Sequence, residues 1–259
     1  MSHKLLSDSQ TQEAGLDRPL YTPIKRRSFF MYAGATAGAT ALVLAGCSKD
    51  DFNSPGMIDV GSGDVGVLNY AYALEQLEAG FYTALRAGSY YTGLGAGSAE
   101  KLILDDLYYH EVIHRDFFKT AITAAAPSSI IPALTPNFSG INFNDRTSVL
   151  STAKAFEDLG VAAYNGAGQY ISSATYLYIA GKIVSVEARH AAIIRDLVTE
   201  GSFVGNDVIT LTSANTSSVA TNAAPANSSL ERSKSPAEVL ATANMFLADG
   251  SKLTANSLK

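Results

Sequence analysis

Apolar residues recur every three or four positions along four long stretches of the chain, which is the spacing of one face of an α-helix. The stretches cover about residues 64–87, 98–125, 145–172 and 173–200. Asp64 is a candidate N-cap of the first helix, and Gly88 and Gly201 are typical of positions just past a helix. The pattern therefore predicts four long helices.

The links between these helices differ in length. The first-to-second and third-to-fourth links are short, so each pair should form an antiparallel hairpin. The middle link, residues 126–144, holds three prolines and has no clear period. We therefore predict an all-α, ferritin-like four-helix bundle over residues 64–201, in which a long crossover joins helices 2 and 3.

The chain after the bundle, residues 202–259, reads as an extension. It is rich in Ser, Thr, Asn and Ala up to Ser233, which is typical of an extended or mobile loop. A short helix near residues 236–247 is indicated by Ser235-Pro-Ala-Glu238, a capping box with proline at the first helical position. Its apolar residues are expected to dock on the bundle; they are Val239, Leu240, Met245, Phe246 and Leu247.

Acidic and imidazole side chains interrupt each inward-facing apolar stripe near its middle. They are Glu75 and Glu78 on the first helix, Glu111 and His114 on the second, Glu157 on the third, and Glu187 and His190 on the fourth. Burying even one unpaired carboxylate costs several kcal/mol. Four carboxylates would balance two divalent cations, so the pattern predicts a dinuclear metal centre.

The two halves of the bundle repeat one another. Glu75 to Tyr82 and Glu157 to Tyr164 both read E-x-L-x-x-x-x-Y, and a Glu-x-x-His unit follows each of them. Glu78 aligns with Gly160, so Glu75 is the predicted ligand and Glu78 a residue that contacts the ligands or a minor alternative to Glu75.

Tyr82 and Tyr164 lie on the same inward stripes as these ligands. They are hydrogen-bond partners of the ligands, radical relays, or core tyrosines with a satisfied hydroxyl group.

Two alternatives compete with a dinuclear centre. HEVIH, residues 110–114, matches the H-E-x-x-H signature of zinc proteases, with His110 and His114 as ligands and Glu111 as base. That reading needs a third ligand, but neither Glu nor His occurs between His114 and Glu157. We therefore expect His110 to contact a ligand or lie at the surface. A metal-free bundle would leave two negative charges uncompensated after pairing with the imidazoles.

Four segments carry a resemblance to a known family: ALEQLEAGFY, HEVIH, FEDLGVAAYNGA and VEARHAA. They resemble the bacterial ferritin-like domain family, which belongs to the ferritin-like superfamily and is related to plant desiccation-associated proteins. The resemblance covers about residues 64–200. It implies that Glu111 and Glu187 bridge two metal ions, that Glu75 and Glu157 are terminal carboxylates, and that His114 and His190 are terminal nitrogen ligands.

Four carboxylates and two imidazoles without a thiolate suit iron or manganese, so the predicted cofactor is two Fe or two Mn ions. Such a pair could act on Fe²⁺, O₂ or H₂O₂ as a ferroxidase-, peroxidase- or catalase-like oxidoreductase that protects the cell envelope. Family membership alone does not fix an activity. The alternative is a non-catalytic metal-binding or structural stress protein of the desiccation type.

The N-terminal region resembles an export signal. Arg26-Arg27-Ser28-Phe29-Phe30 is similar to a twin-arginine motif, and the apolar stretch after it is shorter than the ~20 residues of a membrane span. Leu44-Ala45-Gly46-Cys47 resembles a lipobox, so residues 1–46 are a predicted signal peptide and residues 47–63 a tether.

Lipidation of Cys47, the only cysteine, would anchor the protein in the periplasm or at the outer surface of a Gram-negative bacterium. A net charge of −5 without a basic run gives no sign of nucleic-acid binding, and a homo-oligomer is left open.

Overall fold

Four long helices form the body of the protein, as the all-α prediction expected. The computed structural model describes residues 56–205, 207–208 and 231–258. The helices are α1 (Gly63–Ala87), α2 (Ser89–Thr92), α3 (Ala99–Ala125), α4 (Arg146–Ala167), α5 (Ala174–Val198) and α6 (Pro236–Ala243). Single 3₁₀ turns follow α4 at Gly168–Tyr170 and α6 at Asn244–Phe246. The predicted signal peptide and Cys47 lie outside the described residues.

The long helices pair as two antiparallel hairpins. Arg86, near the end of α1, lies 3.1 Å from Asp105, near the start of α3. Arg146, the first residue of α4, donates a 2.8 Å hydrogen bond to the carbonyl oxygen of Leu197, near the end of α5. None of the described helices is long and apolar enough to cross a membrane.

The start of α1 differs from the prediction. Its N-cap is Ser62, and Asp64 lies in the first turn, so the assignment of Asp64 as the cap was wrong. The Asp64 carboxylate instead accepts hydrogen bonds from the backbone N–H groups of Ser172 and Ser173, at 2.7 and 3.1 Å. These groups precede α5, so Asp64 joins the start of α1 to the link between α4 and α5.

The crossover, residues 126–145, lies along the outer side of α1. Asn69 donates hydrogen bonds to the carbonyl oxygens of Val60 and Ser129, and its own oxygen accepts from the N–H of Ile131. Two turns further along α1, the side-chain oxygen of Gln76 accepts a hydrogen bond from the N–H of Leu134. The crossover is thus attached to α1 by hydrogen bonds of two amide side chains. Because the crossover covers its outer side, α1 is buried on nearly all sides.

The C-terminal segment returns to the bundle and to the residues before α1. Strand β1 (Ile58–Asp59) pairs in parallel with β2 (Leu253–Thr254), so the predicted tether includes a short ordered part. Ser235 and Glu238 form the predicted capping box at α6. Val239, Leu240 and Leu247 are buried as expected, whereas Met245 is 66% exposed because it lies on the outer side of the 3₁₀ turn.

Aromatic rings fill the bundle at the end where α1 stops. Phe81 is fully buried, and its ring lies 5.1 Å from that of Phe156 and 5.9–6.1 Å from those of Phe143 and Phe138. Phe138 and Phe143 belong to the crossover, so this cluster holds the crossover against α1 and α4.

Replacing Phe81→Ala should lower the free energy of unfolding by roughly 3–5 kcal/mol, because a buried ring is lost and a cavity remains. Denaturant titration measures this change. The control Leu102→Ala removes a side chain that is 53% exposed and should change stability by about 0.5 kcal/mol or less. Equal effects of the two substitutions would contradict the packing described here.

Candidate metal centre

Four carboxylates and two imidazoles meet at the middle of the four long helices. They are Glu75 from α1, Glu111 and His114 from α3, Glu157 from α4, and Glu187 and His190 from α5. All four glutamates are fully buried, at 0% exposure. The Glu-x-x-His spacing places both side chains of each unit on one face of their helix. The structure thus brings together all six residues singled out as ligands from the sequence.

The six side chains form two overlapping groups, each with ligand atoms within 4.8 Å of one another. One group is Glu75, Glu111, His114 and Glu187; the other is Glu111, Glu157, Glu187 and His190. Glu111 and Glu187 belong to both groups.

The shared carboxylates turn one oxygen toward each group. Glu187 Oε1 lies 2.7 Å from His114 Nδ1, and its Oε2 lies 3.2 Å from His190 Nδ1. Glu111 Oε1 lies 2.8 Å from His190 Nδ1, and its Oε2 lies 3.7 Å from His114 Nδ1. A carboxylate with one oxygen directed toward each group is arranged as a ligand shared by two adjacent cations would be.

Within the part of the chain that the structure describes, the inward-facing ligand atoms form no hydrogen bond of good geometry, and their near neighbours are one another. The unpaired buried atoms at the site are Glu75 Oε2, Glu157 Oε2, both oxygens of Glu111 and of Glu187, and Nδ1 of His114 and His190. Buried polar groups are nearly always hydrogen-bonded, and exceptions indicate an ion or water that is needed there. Six oxygens and two ring nitrogens that converge without partners therefore fit two cations with oxygen and imidazole ligands.

Tyr82 and Tyr164 each bind a carboxylate of the opposite half. The hydroxyl group of Tyr82 donates to Glu157 Oε1, and that of Tyr164 donates to Glu75 Oε1, both at 2.5 Å. Each terminal carboxylate therefore has one oxygen held by a tyrosine and one directed inward. Burial and the adjacent carboxylates raise the pKa of both tyrosines, so both remain hydrogen-bond donors.

Glu78 is a fifth buried carboxyl group, and it is not a member of either ligand group. Its Oε1 lies 3.0 Å from the place that a Cβ atom would occupy at Gly160. Glycine inside a helix costs about 0.5–1 kcal/mol relative to alanine, so its presence there needs a reason. The glycine leaves room for the Glu78 side chain. Glu78 and Gly160, which align in the sequence repeat, are thus also neighbours in the structure.

His110 lies outside the two ligand groups and is largely exposed. Its Nδ1 is 2.8 Å from Nε2 of His190, and the two rings are stacked. In the described part of the chain, no group of potential ligands contains both His110 and His114. The zinc-protease arrangement is therefore not formed, and His110 supports the outer nitrogen of His190 instead.

Protonation can compensate the buried charges when no cation is present. Burial opposes charge on the His114 ring, but the close carboxylates of Glu111, Glu187 and Glu75 raise its pKa to about 12. Contacts with Glu157 and Glu111 likewise hold the pKa of His190 well above its usual value despite burial. Burial raises the pKa of Glu157 to about 7, and it also raises the pKa of Glu75 well above its usual value. The two negative charges expected for a metal-free bundle are thus avoided, because buried carboxyl groups take up protons.

An apolar cavity of about 30 Å³ adjoins the site at the Tyr164 end. Small residues from all four long helices line it, including Ala71, Ala121, Ala163 and Ala180. The Tyr82 end holds the phenylalanine cluster instead. The bundle therefore has a small apolar cavity on one side of the site and dense aromatic packing on the other.

Comparison with known proteins agrees with this fold. The profile of a family described as the ferritin-like domain matches residues 63–200, which is more than half of the chain. The protein therefore belongs to the ferritin-like domain family. No protein of curated function matches the chain.

The ion-free protein should lose stability as the pH rises from 5 to 9. The pKa of Glu157 is raised from 4.5 to about 7, so its contribution is present below pH 4.5 and is lost by about pH 7. The pKa of His114 is raised from 6.5 to about 12, so its contribution is complete below pH 6.5 and decreases steadily from there to about pH 12. The pKa of Glu111 is lowered from 4.5 to about 2, so its contribution to stability is complete above pH 4.5. This contribution is lost only as the pH falls to about 2.

Thermal melting of the chelator-treated protein at pH 5, 7 and 9 checks this expectation. The variant Glu157→Gln should flatten the lower part of the profile, because the amide does not titrate. A melting temperature that rises over this range in the ion-free protein would contradict it.

Proposed function

We propose that this protein binds two iron or two manganese ions and uses them for redox chemistry on Fe²⁺, O₂ or H₂O₂. The observation that carries the proposal is the convergence of eight buried ligand atoms on one place, where the described residues give them no hydrogen bond of good geometry. These atoms are carboxylate oxygens and imidazole nitrogens, which suit iron and manganese better than soft metals. The ferritin-like fold, which builds such sites from facing helices, supports the same assignment.

The protein's own residues have separate roles in this proposal. Glu111 and Glu187 hold both ion positions, while Glu75 with His114 and Glu157 with His190 each complete one position. Tyr82 and Tyr164 fix the orientation of the terminal carboxylates. In the tautomer that carries the proton of His190 on Nε2, this N–H group donates a hydrogen bond to Nδ1 of His110, and Nδ1 of His190 is left for an ion. A bound redox pair would pass to O₂ or H₂O₂ the electrons that it takes from added Fe²⁺ or, in peroxide disproportionation, from a second H₂O₂ molecule.

The apolar cavity beside Tyr164 supports dioxygen as one substrate. Its lining is mostly alanine, valine, leucine and aromatic residues, which admit a small apolar molecule more readily than a hydrated one. The cavity reaches the hydroxyl-bearing ring that holds Glu75. A small oxidant that enters there would arrive beside one ion position.

The proposed location is the cell envelope, where the protein would be tethered by a lipid on Cys47. The twin-arginine and lipobox motifs of the first 47 residues support this location. Redox chemistry at the envelope would protect the cell against oxidative stress.

A non-catalytic role in metal binding or in stress tolerance is the second candidate. The proton-based charge compensation favours it, because the bundle can bury its carboxyl groups without any cation. A site that tolerates both states could persist in a protein whose role is structural.

Metal content tests the proposed centre. The mature protein loaded with Fe²⁺ or Mn²⁺ without oxygen should hold about two ions per chain by mass spectrometry of metals. Glu187→Ala should lose most of both ions, because Glu187 serves both positions. Glu200→Gln, which alters an exposed carboxylate beyond α5, should keep both. Two ions retained by a folded Glu187→Ala variant would refute the shared site.

His110 separates this centre from a zinc-protease site. His110→Asn should still bind two ions, with affinity lowered by roughly 10-fold, since His110 supports a ligand but does not bind an ion. A zinc protease would require His110 as a ligand and would lose its single ion. Loss of all metal from this variant would favour the protease.

Turnover separates the catalytic role from the structural one. Consumption of O₂ or H₂O₂ by the loaded protein should exceed that of the same ions free in buffer and should disappear in Glu187→Ala. An oxygen electrode and a peroxide assay measure these rates. Two bound ions without any turnover would support the non-catalytic candidate instead.

A further inference from the structure

One outer surface of the bundle takes no part in the metal centre. This α3–α5 face consists of Leu102, Asp106 and Ile113 on α3 and of Tyr178, Lys182 and Arg189 on α5. Ile113 is 61% exposed, Leu102 53% and Tyr178 48%. Each lies about half a helical turn around from the glutamate ligand of its own helix, so all three point away from the site. Large apolar side chains gathered at one surface mark an interaction site.

The chain itself covers the opposite side of the bundle, which α1 and α4 form. The crossover is hydrogen-bonded to Asn69 and Gln76 of α1, and the ring centroids of Phe246 in the C-terminal segment and Phe156 on α4 are 4.7 Å apart. In the part of the chain that the structure describes, the α3–α5 face has about half of each large apolar side chain exposed. It therefore lacks the cover that the other side has.

The charges of the α3–α5 face are divided between its two helices. Asp106 is exposed on α3, whereas Lys182 and Arg189 are exposed on α5. None of the three has an ion-pair partner within 4.0 Å among the described residues, and Lys182 lies only over the ring of Tyr178, 5.6 Å from its centroid. Asp106 and Lys182 are equivalent in the sequence repeat, because each precedes the glutamate of its Glu-x-x-His unit by five residues. The repeat thus places opposite charges at equivalent outer positions.

The α3–α5 face is large enough for a stable contact. Helices of 27 and 25 residues are about 40 Å long, and two neighbouring helices form a strip roughly 20 Å wide. The strip offers about 800 Å², which is the area that each partner buries in a stable complex.

The direction of the two helices determines which residues of a second copy would meet. His110 lies beside His190, and Phe117 further along α3 lines a cavity with Ala180, which precedes His190 on α5. The helices α3 and α5 are therefore antiparallel. A twofold axis parallel to both helices and centred between them on this face lays α3 of one chain on α5 of the other.

This arrangement brings opposite charges together. Glu111 and Glu187 lie at the same level of the bundle, because both ligand groups share them. Asp106 precedes the first of these by five residues, and Arg189 follows the second by two. In antiparallel helices their levels differ by three residues, or about 4.5 Å, which the two side chains can span. The twofold axis forms this contact twice.

The same arrangement places Lys182 level with the partner's Asp116, since one precedes and the other follows its ligand glutamate by five residues. A twofold axis perpendicular to the helices would instead lay α3 on α3 and α5 on α5. Asp106 would then meet the partner's Asp116, and Lys182 would approach the partner's Arg189. Like charges oppose association, so the charges select the first arrangement.

We infer that the α3–α5 face binds a second copy of this chain, in a twofold dimer in which α3 of each chain packs on α5 of the other. The dimer covers the exposed ring of His110, which lies between the two helices of this face. The inference goes beyond the proposed function and does not require bound metal, because the six residues that define the face lie outside both ligand groups.

Sedimentation velocity of the mature protein over a range of concentrations tests the dimer. All forms carry Cys47→Ser, so that neither a lipid nor a disulfide joins the chains. The parent should form a dimer, and Asp106→Arg should raise the dissociation constant by about 10-fold or more, because it places a like charge opposite Arg189. The matched control Asp249→Arg reverses a carboxylate whose side chain is 100% exposed on the C-terminal segment, and it should dimerise like the parent.

Two results would overturn the inference. One is a parent that stays monomeric, and binding of that monomer to phospholipid vesicles would then assign the face to a membrane surface. The other is a dimer that Asp106→Arg leaves unchanged, because the chains would then associate through another surface.

Exchanging the two charges tests the arrangement of the helices. Arg189→Asp alone should weaken the dimer as Asp106→Arg does, and the double variant Asp106→Arg/Arg189→Asp should recover most of the affinity, because both contacts form again with reversed signs. A double variant that is folded by circular dichroism and dimerises no better than the single variants would refute the packing of α3 on α5.

Discussion

The burial of five carboxyl groups in one helical bundle is the constraint on which the rest of the structure depends. Each of these groups loses hydration, and the described residues offer only two imidazoles as cations within the site. The structure meets the constraint by bringing carboxylates from four helices together, so that the charge is concentrated where two ions or several protons can compensate it. The apolar stripes above and below the site then pack as an ordinary bundle core.

Much of this arrangement follows from the sequence, because helical periodicity and side-chain chemistry are local properties. The four long helices, the capping box at Ser235 and the inward position of Glu75, Glu111, Glu157 and Glu187 could be predicted. The end of α4 could not, because the helix stops at Ala167 and a 3₁₀ turn follows, whereas the prediction extended it to about residue 172. The Asp64 contact could not, since a carboxylate near a helix start can cap its own helix or bind the backbone of another. The same limit applies to the crossover, whose amide contacts through Asn69 depend on which segment lies beside α1.

The contacts around the site could be predicted only in part from the sequence. The repeat predicted that Tyr82 and Tyr164 share the ligand stripes, but the exchange of partners between halves depends on the relative shift of α1 and α4. The alignment of Glu78 with Gly160 was visible, yet its meaning required the two residues to be in contact. The HEVIH motif groups His110 with His114 as two ligands of one ion. The structure shows that His110 instead contacts His190, which lies on another helix and could not be paired with it from the sequence.

The two ways of compensating charge have a consequence for metal exchange. In the proposed centre, protons on His114, Glu157 and neighbouring carboxyl groups would replace the charge of departing ions, so the bundle would not have to unfold to release them. Loading must then displace these protons, and the affinity for ions should fall as the pH falls. A centre of this kind can fold before it is loaded, unlike small metal sites whose domains unfold without their ion. The order of folding and loading is therefore not imposed by the site.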